Sequence, residues 1–335
     1  MLTAKLVVLL VVAALCVLTS QADADPFVVL KGGEGQGKGK HVVLVAGDDE
    51  YRSEEVIPQL AKILAAHHGF KCTVLFALNK ETGEIDPSTL DNIPGLEALE
   101  TADLMVMFLR FRDLPDDQMK RVMDYTNSGR PVIGLRTSTH AFNFNKHKAG
   151  PYGNLSFNSS NPKGGYGRQV FGETWVAHYG HHNVESTRGV VAPGMENSPI
   201  VKGCEDIWGP SDVYKLTTLE GDCKPVILGQ VLVGMNPTDK VNEAKPAIPV
   251  AWTKTYTGTE GKASRVFATT MGHAGDLQSE GFRRLLVNAC YWSMGLEDKI
   301  PARSKADLVG EYKPNKIGMG GFKKGLKPED HGLKP

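Results

Sequence analysis

The sequence predicts an α/β fold: a doubly wound, mostly parallel sheet with added antiparallel strands and an extended C-terminal tail. Two observations carry that expectation. Residues 41–47, 104–109 and 131–135 are apolar almost throughout rather than alternating, which is how strands covered on both faces read. Amphipathic stretches at helical period lie between them, so strand and helix alternate at the spacing of βαβ units.

The first strand, residues 41–47, ends in glycine and runs into the polar loop Asp48-Asp49-Glu50-Tyr51-Arg52. Ser53 is placed to cap the next helix, with Glu54 and Glu55 in the first turn, where the helix dipole favours negative charge. Val56, Leu60, Ile63 and Leu64 share one stripe, and Gly69 ends the helix. Residues 72–77 and 104–109 are the second and third strands. Residues 115–128 form a helix, with Asp113 as its cap and Gly129 beyond its end. Residues 131–135 are the fourth strand. Residues 142–167 are rich in Asn, Gly and Lys and form a long loop, a length that signals either function or disorder. Asn154 and Asn158 begin glycosylation sequons within it. Further strands are expected at 213–219, 226–233, 248–253 and 265–270, several of them antiparallel additions. Residues 279–294 make the last helix, with Phe282, Leu285, Leu286, Ala289 and Trp292 along one side.

The 335-residue chain divides into four segments. Residues 1–24 read as a signal peptide: Lys5, then an apolar run from Leu6 to Leu18, then the small-x-small site Ala22-Asp23-Ala24. The run is shorter than the ~20 residues of a membrane span. The expected product is therefore secreted or periplasmic, with no span after cleavage. Residues 25–39 are a flexible leader, residues 40–300 one domain, and residues 301–335 a Lys-, Gly- and Pro-rich strap. Lys plus Arg and Asp plus Glu both number 38, so no net field attracts nucleic acid, and a small molecule is the expected partner. Oligomeric state is left open.

Export permits disulfides, and four cysteines follow the signal: Cys72, Cys204, Cys223 and Cys290. A Cys204–Cys223 bridge would restrict the unfolded chain by roughly 3 kcal/mol. Four reduced thiols are the equal alternative. The spacing matches no zinc or redox motif.

In an open parallel sheet, ligands bind beyond the carboxyl ends of the strands. That rule selects the loops 47–52, 109–113 and 136–140. Glu50 is a candidate general base or hydroxyl acceptor beside Asp48 and Asp49, the alternative being a solvated turn. Asp48, Asp49, Tyr51, Arg110 and Thr137 are candidate substrate contacts. Arg110, Arg112 and Arg136 are candidates to steady an oxyanion, with surface salt bridges the other reading for the first two. His140 is a candidate acid/base or a structural histidine. His178-Tyr179-Gly180-His181-His182 places His178, His181 and His182 as ligands for a divalent metal, although Gly180 interrupts the helix that would align them. His273 is a candidate acid/base, with Asp276 either orienting it or serving a turn. Tyr166 is expected to reach the site from the long loop.

Two stretches resemble class I glutamine amidotransferases. Residues 130–136 match the strand and turn that carry their nucleophilic cysteine, and residues 265–273 match the strand that delivers their histidine. Arg136 stands at the nucleophile position. It cannot attack a carbonyl, so a Cys–His mechanism and glutaminase activity are excluded. Five ordered segments resemble the ThuA-like family more closely: residues 45–55, 134–142, 171–178, 249–256 and 272–273, spread over 41–297. That family often has His where this chain has Arg136. The resemblance implies a flavodoxin-like core and a role in catabolism of trehalose and related glucosides, at keto-sugar intermediates.

The expected function is proton abstraction from a glucoside-derived sugar, of isomerase, lyase or hydrolase type. Glu50, His178 or His273 would move the proton, Arg136 would steady the oxyanion and a divalent metal would assist. A non-catalytic sugar-binding protein on the same scaffold is the alternative, and a structural protein a third, favoured if the tail fills the crevice.

Overall fold

The computed structural model describes residues 25–333. The expected signal peptide lies outside them. In chain order the regular elements begin with β1 (Phe27–Leu30), β2 (His41–Gly47), α1 (Ser53–His68), β3 (Lys71–Phe76), β4 (Leu104–Leu109), α2 (Asp116–Asn127) and β5 (Val132–Leu135). They continue with β6 (Ala177–His178), β7 (Thr187–Val191), β8 (Trp208–Gly209), β9 (Tyr214–Lys215), β10 (Lys224–Val231), β11 (Ile248–Thr257), β12 (Ala263–Thr269) and α3 (Glu280–Ser293).

The fold is mixed α/β, with a parallel central sheet extended by antiparallel strands. Among the described residues the main sheet runs β1-β3-β2-β4-β5-β12-β11-β10-β7-β8. The pairs β2–β3, β2–β4, β4–β5 and β5–β12 are parallel. The remaining pairs are antiparallel. Successive β2 side chains serve opposite faces. Val42 and Leu44 pack into the core layer of α1 and α3, whereas Val43 and Val45 join Met119, Val122 and Tyr125 of α2. From β2 the chain moves first to β3 on one side and then to β4 on the other. The loops after β2, β4, β5 and β12 thus open on one edge beside that reversal.

Several local expectations change. The leader supplies β1, whose Phe27 pairs with Leu75 of β3. Its Gly32 lies so close to the end of α1 that a Cβ there would stand 2.1 Å from the Gly69 carbonyl oxygen. Ser53 does not cap α1. Arg52 holds the N-cap position with φ 63°, and the Ser53 hydroxyl bonds the Asp48 backbone instead. Asp113 does not cap α2; its carboxylate accepts the backbone N–H groups of Asn145, Lys146 and His147. The strand expected at 213–219 shrinks to β9, which pairs only with β6. β7 was not expected. Its Gly189 interrupts the apolar pattern because a Cβ would stand 2.5 Å from Ile207 Cγ2. Ser279 does cap α3, accepting from Phe282 N.

The four cysteines are free. Cys204 lies against Asn288 and Cys223 against Phe171 and Glu220, so the two do not bridge. Among the described residues, no helix is long and apolar enough to cross a membrane. The tail crosses the carboxyl edge of the sheet. Gly318 N–H donates to Glu50 O, Gly320 N–H to the Asp49 carboxylate, and Tyr312 OH to Ala274 O.

Candidate active site

The site is organised around Arg136, the first residue after β5. Its φ of 43° places a non-glycine residue in the left-handed region, on the tight strand-to-turn corner where the amidotransferase resemblance puts a nucleophile. The side chain is fully buried. Nη1 donates to the carbonyls of Asp212 (2.6 Å) and Thr270 (2.5 Å), and Nη2 to Asp212 Oδ1 at 2.8 Å. The guanidinium lies 3.7 Å from the ring centroid of Tyr214 and 4.4 Å from that of Tyr51. Burial opposes its charge, but Tyr214, Tyr51 and Asp212 more than compensate and raise its pKa further. Arg136 therefore fixes Asp212 and does not itself face a substrate.

Asp212 carries the acid–base groups. His178 Nδ1 lies 2.7 Å from Oδ2, and His182 Nδ1 lies 3.1 Å from Oδ1. Burial pushes Asp212 up, but Arg136, His178 and His182 outweigh it and hold the carboxyl well below the usual range. An ionised acceptor fixes both imidazoles with the proton on Nδ1, which leaves each Nε2 as the basic atom. Glu50 and Arg110 extend the network: His182 Nε2 is 3.7 Å from Glu50 Oε1, and Arg110 Nη2 is 3.2 Å from Glu50 Oε2. Unlike Arg136 and Asp212, these four outer side chains remain partly open to solvent. Beside them stands an aromatic wall. Trp175 packs edge-on to His178, and Tyr214 meets both His178 and His140.

The other expected site residues are placed as follows. His140 is buried among Phe111, Phe157, Trp175 and Tyr214, and burial with Arg110 and Arg136 keeps it neutral. It is part of the wall. His273 accepts from Gly275 N–H at Nδ1, and Nε2 faces Asn315 O at 3.2 Å, so both nitrogens are engaged. Burial, then Arg136, lowers it to about 3. Asp276 does not touch that imidazole; its carboxylate binds Ser211 and the backbone N–H groups of Gly272 and His273. Tyr166 is on the opposite side of the sheet, bonded to Thr126 in the α2 core. Asp49 pairs with Arg52 and the tail. Asp48 is buried, accepts from Tyr51 N–H, and is raised to about 6 by burial. Tyr51 and Thr137 are fully buried, Tyr51 forming one face of the Arg136 sandwich. Arg112 spends its guanidinium on the carbonyls of Pro87, Thr89 and Arg110.

The histidine segment is not helical. His178 ends β6 and the chain then turns, bringing His178 and His182 rings within 5.1 Å while His181 stays exposed. Among the described residues, the set with metal-binding geometry is His178, His182 and Asp212, whose donor atoms lie within 4.8 Å of one another. Two imidazoles and a carboxylate suit a divalent transition metal. The Arg136 guanidinium against the same carboxylate opposes a second positive charge.

A sequence model of the ThuA family, described as trehalose utilisation, matches residues 41–293. The chain belongs to that family. A solved ThuA-like protein from Parabacteroides merdae shares 15% identity with it, at a TM-score of 0.51 over 87% of this chain and 99% of the other. Another, from Bacteroides uniformis, shares 14% identity, at a TM-score of 0.46 over 78% and 94%. No curated protein matches by sequence.

In this ThuA-family chain, sequence reasoning missed Asp212, Tyr214 and Trp175. Asp212 lies in Gly209-Pro210-Ser211-Asp212, which reads as a turn, and only the β6–β9 pairing brings it beneath the histidines.

Proposed function

We propose that this ThuA-family protein is an exported enzyme of carbohydrate catabolism that abstracts a proton from a glucoside or keto-sugar, and is not a glutaminase. The observation that carries this reading is the single ionised carboxylate of Asp212 orienting two imidazoles whose Nε2 atoms are left basic. Two bases so close suit moving a proton between adjacent carbons. One Nε2 takes the C–H proton beside a carbonyl, and the electron pair moves onto the carbonyl oxygen as an enediolate. The imidazolium so formed returns that proton to the neighbouring carbon, and the second imidazole carries a proton from the adjacent hydroxyl to the former carbonyl oxygen, which gives an isomer with atoms conserved. Expulsion of a β-oxygen substituent from the same enediolate, by cleavage of its C–O bond with the proton supplied by the imidazolium, gives the lyase outcome. Arg110, held by Glu50, is the accessible cation that would face the developing oxyanion. Arg136 and His273 take positioning roles.

Should a divalent metal bind, His178, His182 and Asp212 would hold it, and it would supply Lewis acidity toward the carbonyl oxygen. A flavodoxin-like core is the finer fold reading. It is supported by the parallel strand order β3-β2-β4-β5-β12, with the site beside the β2/β4 reversal. The alternative, a sugar-binding protein without turnover, draws on the partly exposed Trp175 ring beside His178.

Incubation with keto-glucosides in D2O, followed by NMR, separates the two. Deuterium incorporation beside the carbonyl, lost in His178→Asn, is expected. Binding without exchange or product would establish the binding-protein reading instead.

A further inference from the structure

The acid–base cluster is one half of a closed ring of side chains. The His178 and His182 ring centroids lie 5.1 Å apart, His182 reaches Glu50, and Glu50 holds Arg110. From Arg110 the ring continues in aromatic groups. Its guanidinium carbon lies 4.6 Å from the Phe111 centroid, and Phe111 lies 4.9 Å from Phe157. Phe157 and Trp175 both meet His140, and Trp175 returns to His178 at 6.0 Å. Buried His140 and Tyr214 form the floor, Tyr214 touching His178 on one side and His140 on the other. A ligand standing on that floor meets both halves at once.

The aromatic half is held in place from several directions. Phe111, Phe157 and Trp175 come from separate segments, and all three are half-buried. Phe111 has φ 50°, a left-handed conformation that is an outlier for a bulky residue, and its N–H donates to the His140 carbonyl. Phe157 is brought in from the long 142–167 loop by two bonds. Its N–H donates to Phe142 O, and its carbonyl accepts from Thr174 Oγ1. Core packing alone does not call for strained and anchored rings left partly open to water.

The chemistry of this arc selects what it takes. Phe111 and Phe157 are inclined at 46°. Rings so placed offer faces and edges to another flat apolar group. Apart from the Trp175 indole N–H, the three side chains carry no group that pairs with a hydroxyl. A second sugar ring would leave hydroxyls unpaired there, a cost that an apolar substituent avoids.

We infer that the arc of Phe111, Phe157 and Trp175 is the recognition site for an aromatic aglycone, so that the substrate is an aryl glycoside rather than a disaccharide. The inference rests on the sugar-directed reading above and names the substituent on the reacting ring. The polar half would hold the keto-sugar and the aromatic half its aryl group. Contacts to that group would help place the reacting carbon against His178 and His182.

Calorimetric titration of the protein with the keto forms of phenyl glucoside, methyl glucoside and trehalose tests it. The phenyl compound is expected to bind at least ~10-fold more tightly than the methyl compound, a gain of about 1.4 kcal/mol, and more tightly than keto-trehalose. Trp175→Ala, and Phe157→Leu, which keeps an apolar side chain without the aromatic face, should each cut the phenyl-to-methyl ratio below ~3-fold. Thermal melts would check that both variants are folded. Equal affinity for the phenyl and methyl compounds, tighter binding of keto-trehalose, or an unchanged ratio in both folded variants overturns the aryl site. Deuterium exchange into the methyl compound would then leave the sugar-directed reading intact. No binding of any of the three, and no exchange into them, overturns both.

Discussion

Arg136 and Asp212 form an ion pair with both side chains fully buried, Nη2 to Oδ1 at 2.8 Å. Each neutralises the other where water does not reach. Removing one partner leaves a lone buried charge, which typically costs 3–5 kcal/mol. Arg136→Met is therefore expected to lower unfolding free energy by about 3 kcal/mol or more, read as a shifted midpoint in urea. A shift below ~1 kcal/mol would mean that the pair contributes little.

His178 and His182 should affect catalysis more than folding, because both are partly exposed. His178→Asn and His182→Asn are each expected to reduce isotope exchange by roughly 10²–10⁴-fold, the range for losing a general acid or base. Their melting temperatures should stay near the parent value. His181→Asn is the control: its side chain is exposed and Glu185 is bonded by its backbone N–H and carbonyl, so exchange should change less than ~2-fold.

Asp48 and His273 give opposite pH signatures. Burial raises Asp48 from 3.8 to about 6. A carboxyl raised on folding stabilises the protein below its unfolded pKa, and that contribution is lost as pH rises through about 6. Asp48→Asn lacks the loss. Its stability relative to the parent should improve between pH 4 and pH 7, by about 3 kcal/mol at most. His273, lowered from 6.5 to about 3, works the other way: its contribution is present above 6.5 and fades as pH falls toward 3. Thermal melts at pH 4, 5, 6 and 7 check both signs. A pH-independent Asp48→Asn difference would contradict the burial argument.

Arg52 ties the tail to the site. Its guanidinium reaches the carbonyls of Asp49, Lys316 and Gly318. Arg52→Ala should release that stretch and speed tryptic cleavage after Lys316, with mass spectrometry locating the cut. Unchanged cleavage kinetics would show that other contacts suffice to hold the tail.

The sheet was legible because its central strands are buried on both faces, which writes an unbroken apolar run into residues 41–47 and 104–109. Edge strands were not. β1 sits in a Gly- and Lys-rich leader, and β7 is interrupted by Gly189, so neither carries a periodic signal. Helix positions followed from apolar stripes. Two of the caps did not, because Ser53 and Asp113 are spent on other backbone groups.

By itself the sequence determined the βαβ alternation and the placement of Glu50, Arg110 and Arg136 at strand ends. Those follow from local pattern and from the chemistry of single residues. Only the tertiary structure decided that Arg136 is a buried strut, that His273 is capped by backbone, and that Tyr166 belongs to the far core. It also decided that Asp212 meets His178 and His182, since that contact joins segments 34 and 30 residues apart through a two-residue strand pair. Local sequence preference cannot specify which distant carboxylate will neutralise a buried arginine. That choice is made by packing, where an unpaired charge is too costly to remain.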